Sequence, residues 1–140
     1  MTRGMATILL ALALSTGMAR AADPAVALSI RNDGPAELRC MILFGHWITQ
    51  DVGPIAPGGG AEVAMWRGQP PGALYIPRFD GRKMMIENLV CGSDAAWAET
   101  YDQIPIATLR DSTAAAAFRT ACKPAATGKI ACSAAGAIDP

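Results

Sequence analysis

Apolar and polar residues alternate along the first two thirds of the chain in a series of short runs. Proline, glycine, asparagine or aspartate separates each run from the next. Apolar residues at every second position are typical of strands that bury one face. We therefore predict six strands, at Val26–Arg31, Glu37–Phe44, Trp47–Val52, Ala61–Trp66, Leu74–Phe79 and Lys83–Cys91.

The turns between these runs favour a β-rich fold. Asp80–Gly81 joins the last two runs, and this dipeptide suits a tight hairpin because both positions accept a positive φ. Six short strands at this spacing predict an antiparallel immunoglobulin-like sandwich or a small barrel of about six to seven strands. The chain contains in succession the segments Asn32–Pro35, Leu38–Cys40 and Ile55–Gly59. This succession resembles a run that is common in bacterial exported domains with such a sandwich. The resemblance bears on the fold alone.

After Cys91 the pattern changes, because alanine replaces most of the large apolar residues. Ser93–Asp94 is predicted to cap a short helix that runs through Trp97 and Glu99. Asp111–Ser112 is predicted to cap a second helix at Thr113–Ala121, where alanine has the highest helix propensity. We expect this short helical segment to be held in place by a disulfide at Cys122.

The N-terminal residues have the layout of a secretory signal peptide. Arg3 precedes an apolar stretch at Ala6–Leu14, and small residues at Ala19 and Ala21 suit a signal peptidase. The stretch is shorter than the roughly 20 residues that a membrane-spanning helix needs. We predict a signal peptide at 1–21, one β-rich domain at 22–132 and a flexible tail at 133–140.

The net charge of the chain bears on its possible partners. The full chain carries 12 basic and 12 acidic residues, and loss of Arg3 and Arg20 with the leader leaves 10 and 12, a formal net charge of −2. Such a surface does not favour nucleic acid as a partner. We expect a periplasmic or secreted protein with no stable membrane insertion after signal cleavage.

The four cysteines are even in number, which in an exported chain predicts two disulfides. Three pairings are open. Pro124 and Gly128 can turn the chain between the last two cysteines, so we favour the pairs Cys40–Cys91 and Cys122–Cys132. A metal or redox centre is not favoured, because the sequence has no CxxC motif.

His46 is the only histidine, and it is the one candidate for a general base near neutral pH. No GxSxG motif accompanies it, so hydrolase chemistry has no further support. Thioether and imidazole ligands suit Cu(I), but methionine is more common as core filler. We therefore predict no catalytic residue, metal or cofactor, although a copper interpretation would use His46 with Met41, Met65, Met84 and Met85.

Aromatic residues and a proline pair are the best candidates for a binding site. Trp47 and Trp66 adjoin loops rich in glycine and proline, and tryptophan supplies both cores and binding hot spots. The Gln69–Gly72 loop contains two prolines, which lower the entropy lost on binding. The predicted binding residues are His46, Trp47, Trp66, Pro70 and Pro71.

These features favour an exported, small, non-catalytic binding or accessory module of the cell envelope. Its predicted partner is an envelope or extracellular protein, contacted through loops and exposed aromatic residues. One alternative is a small periplasmic enzyme or metal-handling protein that uses His46. Another is a secreted protease inhibitor that presents Gln69–Gly72 to a protease.

Overall fold

A computed structural model of the chain describes residues 26–112 and 116–138. These residues form ten strands, two short helices and two 3₁₀ turns. The strands of the first part are β1 (Val26–Asn32), β2 (Leu38–Phe44), β3 (Ile48–Ile55), β4 (Gly60–Arg67), β5 (Leu74–Pro77) and β6 (Lys83–Ser93). The remaining elements are α1 (Trp97–Thr100), β7 (Asp102–Gln103), α2 (Ala107–Asp111), β8 (Ala117–Pro124), β9 (Ile130–Cys132) and β10 (Gly136–Ala137), with 3₁₀ turns at Gly45–Trp47 and Asp94–Ala96.

All six strands predicted from the alternation are present as β1 to β6, with ends that differ by a few residues. The alternation has its expected cause, since Val26, Leu28 and Ile30 of β1 are fully buried while the residues between them are not. A turn at Asp80–Gly81 is also confirmed, although only Gly81 of the two residues has a positive φ. There Gly81 adopts a φ of +78° and its N–H donates to the carbonyl oxygen of Arg78.

The described strands form one hydrogen-bonded sheet in the order β10-β8-β1-β4-β5-β6-β2-β3, with β9 on β8 and β7 on β6. Neighbours are antiparallel except β1 and β8, which run parallel. The fold is thus mainly β as predicted, but residues 26–112 and 116–138 contain ten strands rather than six to seven. The sheet is not closed, so the small-barrel alternative is wrong.

Two disulfides join paired strands and lie in the core. Cys40 of β2 stands directly opposite Cys91 of β6, with Cα atoms 4.1 Å apart. Cys122 of β8 is opposite Cys132 of β9, with Cα atoms 4.0 Å apart. Both favoured pairings are confirmed. They fit an oxidising compartment, where disulfides persist.

The helix predicted at Thr113–Ala121 is wrong. Residues 113–115 lie outside the described part, and Ala117–Pro124 is strand β8. Phe118, Thr120 and Cys122 alternate toward the buried side of β8, where they pair beside β1. Tertiary pairing and burial of these side chains outweigh the helix propensity of the neighbouring alanines.

The predicted helix caps have a mixed outcome. The first helix is confirmed as a 3₁₀ turn followed by α1, but Ser93 makes no side-chain cap. Instead the N–H of Ser93 donates to Thr100 Oγ1 at 2.8 Å. Ser112 follows the end of α2, and its N–H donates to the carbonyl oxygen of Thr108, so the expected cap at Asp111–Ser112 is wrong.

The sequence predicts a signal peptide at 1–21 and a flexible tail at 133–140. The former lies outside the described residues, as do residues 139–140 of the latter. Within the tail, Ala135 is buried and Gly136–Ala137 pairs with β8 as β10. Over the ranges that the structure does describe, no helix has the length and apolar character needed to cross a membrane.

Candidate functional site

The turn between β2 and β3 exposes a tryptophan in an unfavourable backbone conformation. His46 and Trp47 have φ angles of 65° and 63°, in the left-handed region that favours glycine. For residues other than glycine this region costs about 1–3 kcal/mol each. Trp47 is also 99% exposed, so its ring gains nothing from burial. The backbone conformation opposes stability and burial of the ring does not offset it, and backbone outliers of this kind are concentrated at functional sites.

A cavity of about 470 Å³ opens beside this turn. It is lined by two residues with polar side chains, His46 and Glu87, and by the apolar residues Leu43, Phe44 and Trp47. The carboxylate lies close to the turn, because a Cβ added at Gly45 would be 3.5 Å from Glu87 Oε1. The lining residues include no hydroxyl or thiol nucleophile. They offer a ligand hydrogen bonds from two polar groups and apolar contact with an indole.

A row of large side chains crosses three neighbouring strands at one register. Trp66 of β4 pairs with Tyr75 of β5, and Tyr75 pairs with Met85 of β6. Directly paired residues point to the same face of a sheet, so the three side chains form one ladder. The rings of Trp66 and Tyr75 stack with centroids 6.4 Å apart, and Lys83 Nζ lies 4.5 Å from the Tyr75 centroid.

The proline loop between β4 and β5 packs next to this ladder. It is closed by hydrogen bonds from Gly68 N–H to the Ala73 carbonyl oxygen and from Ala73 N–H to that of Pro70, at 2.8 and 2.9 Å. Pro70 and Pro71 remain exposed and share a cavity of about 370 Å³ with Met85 and Arg110. The proline pair thus lies against the end of the aromatic ladder.

Arg110 of α2 connects this region to the Trp47 turn. Its Nη2 donates to the carbonyl oxygens of Ile86 and Glu87, at 3.2 and 2.8 Å. The β2–β6 register shifts at this point, since Leu43 pairs with Asn88 and Phe44 with Ile86. A register shift leaves ladder groups without partners, and the guanidinium binds two of them.

His46 and Trp47 line the first cavity, Pro70 and Pro71 line the second, and Trp66 is related to Met85 of the second cavity through the ladder. We call this set of residues, with their neighbours, the binding face. Met85 and Glu87 are exposed on either side of buried Ile86, and they link the two cavities. The prediction from the sequence did not include Tyr75, Met85, Glu87 and Arg110. The alternation along β6 places two of them, Met85 and Glu87, on the same side of that strand. The binding face consists of His46, Trp47, Trp66, Pro70, Pro71, Tyr75, Met85, Glu87 and Arg110.

The hairpin tip between β5 and β6 carries a second exposed aromatic residue outside the binding face. Phe79 is 97% exposed, and the guanidinium carbon of Arg78 lies 5.7 Å from its ring centroid. The Asp80 carboxylate accepts hydrogen bonds from Arg82 Nε at 2.9 Å and from the Arg82 backbone N–H at 3.1 Å. These hydrogen bonds from Arg82 lower the pKa of Asp80 below its usual 3.8.

The methionines of the copper interpretation do not converge on His46. Met65 is fully buried in the core while His46 is exposed, and Met84 and Met85 are adjacent strand residues that point to opposite faces. The described residues bring three sulfur atoms into metal-like proximity, those of Cys91, Cys122 and Cys132. All three belong to disulfides and are not free to bind a metal.

Comparisons with protein-family models, curated proteins and solved structures found no match.

Proposed function

We propose that this protein is an exported, non-catalytic binding or accessory module of the cell envelope. Its binding face contacts an envelope or extracellular protein or surface ligand, with Trp47 as the central anchor. The core beneath that face is proposed to be a two-layer, immunoglobulin-like sandwich pinned by the two disulfides. The His46 enzyme and the protease inhibitor remain predictions without a specific supporting contact.

The observation that carries this proposal is the combination of exposure and positive φ at Trp47. The backbone conformation of Trp47 lowers the stability of the isolated protein, and the exposed indole does not offset that cost. Binding a partner buries the ring and recovers the free energy of its apolar surface. Tryptophan is also among the residues most enriched at interface hot spots.

The surroundings of Trp47 support recognition rather than catalysis. His46 and Glu87 line the same cavity as Trp47, where they can hydrogen-bond to polar groups of a ligand. Met85 adds an adaptable apolar contact, and Pro70 and Pro71 form a rigid border. A central aromatic anchor with a polar rim is the usual anatomy of a protein interface.

The test is affinity capture from an envelope extract with the disulfide-bonded protein immobilised. We expect the wild-type protein to retain a defined partner and the Trp47→Ala variant to lose at least 90% of it. Phe79→Ala is the matched control, because Phe79 is as exposed as Trp47 but lies outside the binding face. Equal retention by the Trp47→Ala variant, or loss only with Phe79→Ala, would exclude this site.

A further inference from the structure

One edge of the sheet is open next to the Trp47 turn. Strand β3 is the last strand of the hydrogen-bonded path and pairs only with β2 among the described strands. Strand β4 follows it in the chain, yet β4 pairs with β1 and β5 instead. The second edge of β3 therefore presents backbone N–H and C=O groups without a strand partner, which is a template for strand addition.

The Cys40–Cys91 pair identifies which backbone groups face this edge. Its Cα separation of 4.1 Å matches a non-hydrogen-bonded antiparallel pair, whose spacing is about 4.5 Å against about 5.5 Å for a hydrogen-bonded one. Cys40 thus turns its N–H and C=O away from β6 and toward β3, and by alternation Ile42 does the same. Consistently, Leu89, opposite Ile42, accepts a hydrogen bond on its other side from Ile104 N–H at 2.8 Å.

The same alternation extends into β3. Gln50 is the partner of Ile42 and exchanges its hydrogen bonds with β2, as does Ile48 two residues earlier. Thr49 and Asp51 consequently direct their N–H and C=O groups to the open edge. Two donors and two acceptors on alternate residues are the pattern that an added strand requires.

Only the second half of β3 carries features that protect an edge. Gly53, Pro54 and a register shift opposite Cys40 and Met41 disturb pairing there. The first half, Ile48–Asp51, is regular and contains no proline, and its one charge is on Asp51 at the end of this half. Ile48 is 46% exposed directly after the exposed Trp47. This half of the edge is therefore the available part.

The charges beside the edge indicate the chemistry of the added segment. A cavity of about 190 Å³ between β3 and β4 is lined by Asp51 and Glu62, with Ile42 and Ile76 among its apolar residues. Asp51 has an arginine nearby, Arg39 Nη1 at 3.5 Å from its Oδ2. Two carboxylates beside one guanidinium leave a net negative charge. A lysine or arginine complements it, because its alkyl stem can lie on the apolar residues.

We propose that a partner protein adds an extended segment as a strand on the free edge of β3 at Thr49–Asp51. A basic side chain of that segment lies between Asp51 and Glu62, and an apolar side chain contacts Ile48 and Trp47. This inference rests on the proposed binding function and specifies the partner's conformation and charge.

The experiment uses amide hydrogen exchange of the disulfide-bonded protein, measured by NMR. The probe is a capped heptapeptide of alternating valine and lysine with threonine at both ends. Without it, the Thr49 and Asp51 amides exchange at least tenfold faster than those of Ile48 and Gln50. At saturation the peptide slows exchange at Thr49 and Asp51 at least tenfold, whereas a matched peptide with glutamate in place of lysine does not.

Two variants separate strand addition from side-chain contact. Thr49→Pro removes an edge donor and weakens binding of the lysine peptide at least tenfold, while Thr49→Val keeps the donor and binds like wild type. Ile48 has φ −80° and ψ 133°, a conformation that the residue before proline accepts. Glu62→Gln removes a charge without changing β3 and should weaken binding of the lysine peptide several-fold. It is the alternative test if the proline variant does not fold.

Each other outcome overturns the inference. Absent protection at millimolar peptide, equal protection by the glutamate peptide, or protection only on the binding face would exclude this edge as a site for basic strands. Protection at Thr49 and Asp51 that grows with protein concentration alone would assign the edge to a second copy of the chain. Partner capture that needs Trp47 but survives Thr49→Pro would refute strand addition and leave the proposed function intact.

Discussion

The Sγ atoms of Cys91 and Cys122 belong to different disulfides and lie within 4.8 Å of each other. The first bond joins β2 to β6 and the second joins β8 to β9. The two crosslinks therefore pack together in the core, where they connect strands from the two ends of the hydrogen-bonded path. Of the four cysteines only Cys132 is not fully buried.

This arrangement predicts the order in which the disulfides are reduced. Because Cys132 is the one partly exposed cysteine, a dithiol reductant should attack it and reduce Cys122–Cys132 first in the native protein. Cys40–Cys91 should resist until the fold opens. Alkylation of partly reduced protein followed by peptide mapping measures this order. Equal labelling of all four cysteines from the earliest time point would contradict it.

Local pattern predicted the strands whose alternation and turns lie within one stretch of chain. Strand β8 was missed because its alanines favour a helix, and its partner β1 is about 90 residues away. Only part of the binding face was predicted, because its other residues come from segments that are distant in the sequence. Trp47 is conspicuous in the sequence, whereas Met85 and Glu87 become site residues only through cross-strand register, and Arg110 only through its contact with β6.

Strand β8 yields a stability prediction of its own. Phe118 is fully buried and pairs with Leu28 of β1, so Phe118→Ala should lower the free energy of unfolding by about 3–5 kcal/mol. Arg119, the next residue, is exposed, and Arg119→Ala should stay within about 0.5 kcal/mol of wild type. Urea unfolding measures both. Similar losses for the two variants would contradict the alternation of β8.

The hairpin that carries Phe79 makes a prediction about pH. Arg82 lowers the pKa of Asp80, so the ionised carboxylate favours the folded hairpin. This contribution is fully present above the unfolded-state value of 3.8 and is lost as pH falls through the lower, folded-state pKa. NMR titration of the Asp80 carboxyl should show the shift, and Arg82→Gln should move its pKa back toward 3.8. An unchanged pKa in that variant would show that the Arg82 side chain is not the cause.

Substitutions of Trp47 should affect the free energy of unfolding and partner binding differently. Glycine accepts the φ of 63° without the steric cost that tryptophan bears, and the exposed ring contributes no burial in the free protein. Trp47→Gly should therefore raise the free energy of unfolding by about 0.5–1 kcal/mol, after allowing for the greater entropy of an unfolded chain with glycine. Trp47→Ala keeps the Cβ and should stay within about 0.5 kcal/mol of wild type.

Both Trp47 variants should lose the partner in the capture assay, while thermal unfolding shows that their folds are intact. A residue that costs stability and is needed for binding is the signature of a functional site, since selection for folding alone would replace it. A loss of more than about 1 kcal/mol in Trp47→Gly would instead mean that the indole stabilises the turn. That result would remove the physical reason for assigning Trp47 as the anchor of the binding face.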